Sequence, residues 1–150
     1  MSAQLRLAQP DDLARLMGLV AAFHAEVGID QSPEQRETAL QPLLEGIPHG
    51  CIYLIGPARA PLGYIILTFG WSVEFGGMDA FVDEIYIRPA VRRRGIASET
   101  LLELPKALAT GGIKAVHLEV DREDSAAQKL YLRSGFKPRE RYMLMSRVLG

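Results

Sequence analysis

The chain has 150 residues, 17 Lys and Arg against 18 Asp and Glu, and a formal net charge of −1; 48% of residues are hydrophobic and 23% charged. This is enough apolar surface to offset ordering entropy in one compact domain over 1–150, and it excludes a disordered chain. A balanced charge argues against a general nucleic-acid binder, no apolar run approaches the ~20 residues of a membrane span, the N-terminus lacks a signal peptide's apolar core, and Cys51 alone allows neither a disulfide nor a cysteine zinc cluster. A cytoplasmic, metal-independent protein without nucleic-acid or membrane partners is expected.

Residues 3–8 alternate, with Leu5 and Leu7 on one face, and read as a first strand. Pro10-Asp11-Asp12 opens a helix in which Leu13, Leu16, Met17, Val20 and Phe23 recur at helical spacing up to Val27, before Gly28. Ser32-Pro33-Glu34-Gln35 has the form of a capping box, and a second helix runs to about Glu45 with a bend near Pro42. Strands follow at 51–55 and 62–69, the second so apolar that it belongs in the middle of a sheet. Trp71 to Gly77 reads as a loop, and 80–88 as a strand with Asp83 and Glu84 in its middle. A helix after Arg92-Arg93-Arg94-Gly95 reaches Gly111-Gly112, 116–120 is a strand, and Ser125–Ser134 is a helix ending at Gly135, a left-handed cap. The tail from Phe136 to Leu149 reads as strand, kinked near Pro138. The order β-α-α-β-β-β-α-β-α-β describes a mixed α/β sheet.

The stretch from Asp83 to Ala97 is the most informative. It passes from strand through a tight basic glycine turn into a helix, so successive backbone N–H groups and the helix N-terminus converge on a site for an anion. Arg92, Arg93 and Arg94 add charge, and Gly95 lets an oxygen approach the backbone closely, which suits a pyrophosphate. Neither G-x-x-x-x-G-K-[ST] nor G-x-G-x-x-G occurs, which turns the assignment away from ATP and NAD. A solvated basic helix start is the plainer alternative.

Arg92-Arg93-Arg94-Gly95-Ile96-Ala97 resembles the [QR]-x-x-G-x-[GA] signature of the GNAT superfamily of acyl-CoA-dependent N-acyltransferases. Asp124-Ser-Ala-Ala127-Gln-Lys-Leu130-Tyr131-Leu-Arg-Ser-Gly135-Phe136 resembles that family's N-x-x-A-x-x-L-Y-x-x-x-G-F motif, and the element order matches along nearly the whole chain. The resemblance implies a single α/β domain with a mixed, mostly antiparallel sheet, splayed between two central parallel strands and flanked by helices. It implies acetyl-CoA as co-substrate, lying in the splay. The backbone of Ile85, Tyr86 and Ile87 would meet the acetyl and pantetheine groups. The amides of Arg93, Arg94, Gly95, Ile96, Ala97 and Ser98 would hold the pyrophosphate, with the Arg92 side chain nearby. Ala97 replaces the commoner Gly, which the pattern tolerates. Asp124 replaces the usual Asn, keeping a helix-capping oxygen but losing an amide donor for a CoA contact.

Acetyl transfer to an amine needs a proton removed from the amine and one delivered to the departing thiolate. Tyr131 matches the family's general acid; helix packing is its plainer role. Asp83 and Glu84 are the candidate bases or amine-binding anions, since carboxylates inside an apolar strand are costly unless solvated or paired. Strand alternation places them on opposite faces, although a bulge would bring both toward the cleft. Phe81-Val-Asp83-Glu84-Ile-Tyr-Ile resembles the same strand of the diamine (spermidine/spermine) acetyltransferase branch, where the first acid holds the base position, which favours Asp83. Trp71, Glu74 and Phe75 would offer a cationic amine an aromatic and acidic wall, or simply pack on the sheet. Glu26 and Asp30 read as solvated loop charges, and His24, His49, His117 and Cys51 receive no role.

The expectation is an acetyl-CoA-dependent N-acetyltransferase of a small cationic amine: a polyamine, a lysine-like amino acid, or an amine-bearing toxin or drug. Acetylation of a protein N-terminus or lysine, and a non-catalytic acyl-CoA-binding module, are the alternatives. The family commonly dimerises, and the tail would offer a strand edge for a homodimer.

Overall fold

Across residues 4–150, which the computed structural model describes, the order is β1 (Leu5–Leu7), α1 (Leu13–Val27), α2 (Pro33–Glu45), β2 (Gly50–Ile55), β3 (Gly63–Ser72), β4 (Gly77–Ile87), α3 (Ile96–Thr110), β5 (Ala115–Leu118) and α4 (Ser125–Arg133). Ala3, at the start of the expected first strand, lies outside the described residues. The chain divides into two compact units, one ending at Glu119 and the other running Val120–Gly150.

The first unit holds a five-stranded sheet in the order β1-β2-β3-β4-β5, antiparallel throughout except for the parallel pair β4 and β5. One face carries Ile52, Leu54, Tyr64, Ile66 and Tyr86 against Leu16, Leu19 and Val20 of α1 and Leu40 and Leu44 of α2. The other carries Ile65, Leu67, Val82 and Ile85 against Leu104 and Leu108 of α3. β3 is buried on both faces, as its unbroken apolar run requires. The box at Ser32 forms as expected: Gln35 N donates to Ser32 Oγ at 3.1 Å and Ser32 N to Gln35 Oε1 at 2.9 Å. A bidentate pair from Arg6 to Asp12, both bonds 3.0 Å, ties β1 to the 3-10 turn Pro10–Asp12 that leads into α1.

Two expectations need correction. Trp71–Gly77 is not an open loop: β3 runs on to Ser72 and β4 starts at Gly77. Between them Ser72 closes a four-residue turn, its Oγ accepting from Phe75 N and its carbonyl from Gly76 N. In the second unit, the tail from Phe136 to Leu149 contains no strand. Pro138 gives no N–H to a ladder, and Arg139 and Arg141 fold over the Tyr142 ring while Tyr142 N bonds Arg139 O, a turn that breaks the alternation. β5 is therefore the sheet's edge among the described residues. No described helix is long and apolar enough to cross a membrane.

Candidate active site

β4 carries one residue too many opposite β3. Ile66 pairs with Glu84 and Leu67 with Val82, so Asp83 is a bulge. Its effect is visible in the side chains. Val82 packs on the α3 face, yet Tyr86, of the same parity, packs on the α1 face. The bulge thus overrides the alternation that would separate the two acids, and Asp83 and Glu84 line one cavity of about 220 Å³ with His24, Gln31, Arg36 and Ile66. The parallel register with β5 ends at the same place, at Val82 opposite Leu118. From Asp83 to Ile87, β4 pairs only with β3 among the described strands.

The two acids differ in their bonding. Glu84 is saturated: the Tyr64 hydroxyl donates to Oε1 at 2.7 Å, and His24 Nε2 lies 2.8 Å from Oε2. Burial and then the Glu84 carboxylate hold the Tyr64 phenol far above its ordinary range, so it stays a donor. Asp83 makes no side-chain hydrogen bond or ion pair with a described residue and keeps part of its surface in solvent. Its carboxyl lies above the usual carboxylate range. Partial withdrawal from water is the largest cause, the Glu84 and Glu119 carboxylates follow, and His24 opposes them. Two nitrogens at this cavity, His24 Nδ1 and Arg36 Nε, are sealed from solvent without a hydrogen-bond partner.

The basic turn has the backbone of an anion cradle. Arg93 has φ 64° and Gly95 φ 78°, both left-handed, a conformation costing a non-glycine residue about 1 kcal/mol. Gly95 is the N-cap of α3 and no side chain caps that end, so the amides of Ile96, Ala97 and Ser98 remain free to meet a ligand. Ile96 is buried with Ile55 and Ile87, which fixes this helix end on the sheet. Arg93 and Arg94 are exposed. Unpartnered amides, a glycine turn and two exposed guanidinium groups fit a diphosphate, and the edge of β4 over Ile85–Ile87, which no described strand pairs, fits an extended amide-bearing chain such as pantetheine. The Arg92 side chain is already engaged: Nη2 pairs with Glu26 at 2.7 Å, Nε donates to Ile87 O at 2.8 Å, and the guanidinium lies 5.5 Å from the centre of the Tyr86 ring. Glu26 is correspondingly no loop charge. It sits in the last turn of α1 and clamps that helix to the start of the basic turn.

In the second unit, Asp124 caps α4, its Oδ1 accepting from Ala127 N at 2.9 Å, and Gly135 takes φ 95° after the last turn. Tyr131 lies on that helix with its ring 6.0 Å from Phe136 in an edge-on contact, and burial, then the Asp124 carboxylate, raises its phenol.

Trp71, Glu74 and Phe75 are not brought to the two acids. Trp71 pairs with Met78, five residues and therefore roughly 17 Å along β4 from Asp83, and Glu74 and Phe75 lie in the turn beyond it. There Phe75 packs against His117, which pairs with Asp79 at 3.1 Å. His24 and Arg36 line this candidate site and Tyr64 bonds Glu84 beside it, and none of the three has a role in the sequence analysis. The available signal was spacing: Leu16, Val20 and His24, like Arg36, Leu40 and Leu44, recur every four residues, so each polar residue rides a buried stripe. No described group of His, Cys, Asp and Glu is placed to hold a metal ion.

The family model described as "Acetyltransferase (GNAT) family" matches residues 20–136. No curated protein matches this sequence. Among solved structures, integron cassette protein HFX_CASS3 from the mobile metagenome of Cole Harbour Salt Marsh is 30% identical, with TM-score 0.84 over 98% of this chain and 91% of that one. An aminoglycoside acetyltransferase from an uncultured soil metagenomic sample, solved with sisomicin, is 14% identical (TM-score 0.81, 98% and 96% covered). A ribosomal-protein-alanine N-acetyltransferase from Brucella melitensis biovar Abortus 2308 is 16% identical (TM-score 0.76, 98% and 99% covered). The last two share the fold alone. The match over residues 20–136, with the bulged β4 and the uncapped glycine turn that follows it, establishes that this chain belongs to the acetyltransferase (GNAT) family.

Proposed function

We propose that the protein moves the acetyl group of acetyl-CoA to the primary amine of a small cationic molecule, by direct attack in a ternary complex, with the amine entering the cavity beside Asp83. The observation that carries this is the contrast at the bulge. Asp83 is open and unbonded, whereas Glu84 has both oxygens occupied. An amine near pKa 10 arrives protonated at pH 7, and Asp83 is the carboxylate free to take its proton. Its raised pKa narrows the gap to the amine, which eases that transfer. Glu84 positions the strand and, with Asp83, draws the cation in.

Acetyl-CoA supplies the thioester when bound. Its proposed holders are the backbone of Ile85, Tyr86 and Ile87 and the amides and side chains from Arg93 to Ser98. Arg92 shapes the turn through Ile87 O and Glu26 instead of reaching the phosphates with its side chain. Tyr131 is the proposed proton donor to the thiolate, a role that rests on the motif resemblance; its raised pKa keeps it protonated, as a donor requires. The cavity favours a small acceptor, being smaller than the roughly 300–1,000 Å³ of drug-sized sites. Its size speaks against an acceptor lying in an open peptide groove.

The test is a thiol-release assay with acetyl-CoA against polyamines, amino acids, aminoglycosides and short peptides, beside a CoA titration. Turnover of a small amine is expected. Turnover of peptides alone would transfer the protein to the peptide-modifying class. CoA binding without turnover on any amine would make it a sensor, and failure to bind CoA would sink the proposal.

A further inference from the structure

We infer that the acceptor carries a carboxylate as well as its reacting amine, so that it is a zwitterion of the amino-acid kind, and that Arg36 holds this carboxylate. The inference rests on the cavity being the acceptor site and narrows the acceptor within it.

Arg36 stands on α2 one and two turns before Leu40 and Leu44, on the stripe that faces the sheet, and is only 9% exposed. A guanidinium stays charged at any pH the fold survives and carries five N–H donors. Here Nη2 donates to the Gln31 carbonyl at 3.0 Å and Nε has no partner. No described carboxylate lies within ion-pair distance of it. A buried charge without a counter-ion is costly unless something else in the site compensates it.

The other ionisable groups on the cavity wall are His24, Asp83 and Glu84. Glu84 is used up by Tyr64 and His24. That leaves Arg36 and Asp83 as the two charged groups of the wall with hydrogen-bonding capacity to spare, sharing a cavity without pairing. The complement of that wall is a molecule with an ammonium for Asp83 and a carboxylate for Arg36, the anion whose geometry a guanidinium matches with two parallel bonds. A polyamine fits worse, since its second ammonium would share the cavity with the guanidinium. A cavity of about 220 Å³ also suits an acceptor of amino-acid size.

The experiment compares amino acids with the amines left by their decarboxylation: lysine with cadaverine, ornithine with putrescine, histidine with histamine, phenylalanine with phenethylamine. Calorimetric titration in the presence of CoA reads binding, and thiol release reads transfer. At least one acid should bind ten times or more tighter than its decarboxylated partner. Arg36→Gln should remove that preference by weakening the acid alone, and Arg36→Lys should restore part of it. The wild-type comparison stands even where a variant fails to fold. Equal affinity within every pair, no binding of any acid at millimolar concentration, or a preference that survives in folded Arg36→Gln would each overturn the inference. An acid preference without turnover would uphold Arg36 and sink the transferase proposal. Turnover of the diamines with no acid preference would do the reverse.

Discussion

Asp83 and Glu84 are adjacent, share a charge and line one cavity, yet their removal should have opposite effects. Glu84→Ala deletes the acceptor of two short hydrogen bonds and leaves the fully buried Tyr64 hydroxyl and the buried His24 Nε2 unpaired. Each orphaned buried group costs about 1–3 kcal/mol, so the loss sums to about 2–6 kcal/mol, a large share of the roughly 5–15 kcal/mol that holds a domain folded. Asp83→Asn removes no side-chain bond. Because the folded-state pKa of Asp83 is raised, its ionised form weakens the fold at neutral pH, so the neutral amide should leave stability within about 0.5 kcal/mol of wild type or slightly improve it. The same change deletes the proposed base and should lower kcat/KM by about 10²–10⁴. Urea midpoints at pH 7.5 read the first quantity and thiol release the second. Glu84→Gln, which keeps an acceptor for Tyr64, should fall between Ala and wild type. An unmoved urea midpoint for Glu84→Ala, or full turnover by Asp83→Asn, would refute the division of labour drawn from the bulge.

Three further outcomes are expected. Tyr131→Phe should lower kcat more than it raises KM for acetyl-CoA, and unchanged turnover would remove Tyr131 from the chemistry. Gly63→Ala would put a Cβ 1.9 Å from Tyr86 O and 3.0 Å from Ile87 Cα, both backbone, so β3 and β4 must part there; overpacking of about 3 kcal/mol predicts a Tm lower by roughly 6–12 °C, read by a thermal melt. Asp12→Asn should cost about 1–3 kcal/mol at pH 7 by breaking the Arg6 pair, whose bonds hold the Asp12 carboxyl below its usual range. A depressed carboxylate stabilises above its ordinary value of 3.8 and loses that contribution as pH falls below it, so the urea midpoints of the variant and wild type should converge under acid.

Local rules carried the sequence reading wherever the cause of structure was local. The box at Ser32 and Gln35 and the left-handed Gly135 need only neighbours within a turn, and both appear at their expected positions. The basic glycine turn was equally legible, because its residues are contiguous. The engagement of Arg92 was not, since Glu26 lies 66 residues away in sequence. His24 and Tyr64 meet Glu84 across separations of 60 and 20 residues, and no spacing rule reaches that far. The tail failed for another reason: apolar alternation reports that a strand would have a face to bury, and Tyr142 to Leu149 bury almost nothing, with Met145 82% exposed. The hairpin at Trp71 shows the converse error: 71–77 reads as a loop, although Trp71 and Ser72 still pair with Met78 and Gly77 across β3 and β4.

The bulge at Asp83 ties binding to chemistry. An inserted residue increases local twist and turns the strand off its previous line, and β4 loses β5 as a neighbour at that same residue. No described strand pairs with that edge of β4 from Asp83 to Ile87, and the Ile87 carbonyl accepts from Arg92 Nε there instead of from a ladder. The same insertion shifts Glu84 to the α1 face, where its bonds to Tyr64 and His24 anchor β4 to β3 and to α1. Those two bonds are what the diverging strand has in place of β5. A carboxylate inside an apolar strand is therefore the brace that lets its neighbour Asp83 stand unbonded in the cavity, and the cost of burying one acid is offset by the position it gives the other.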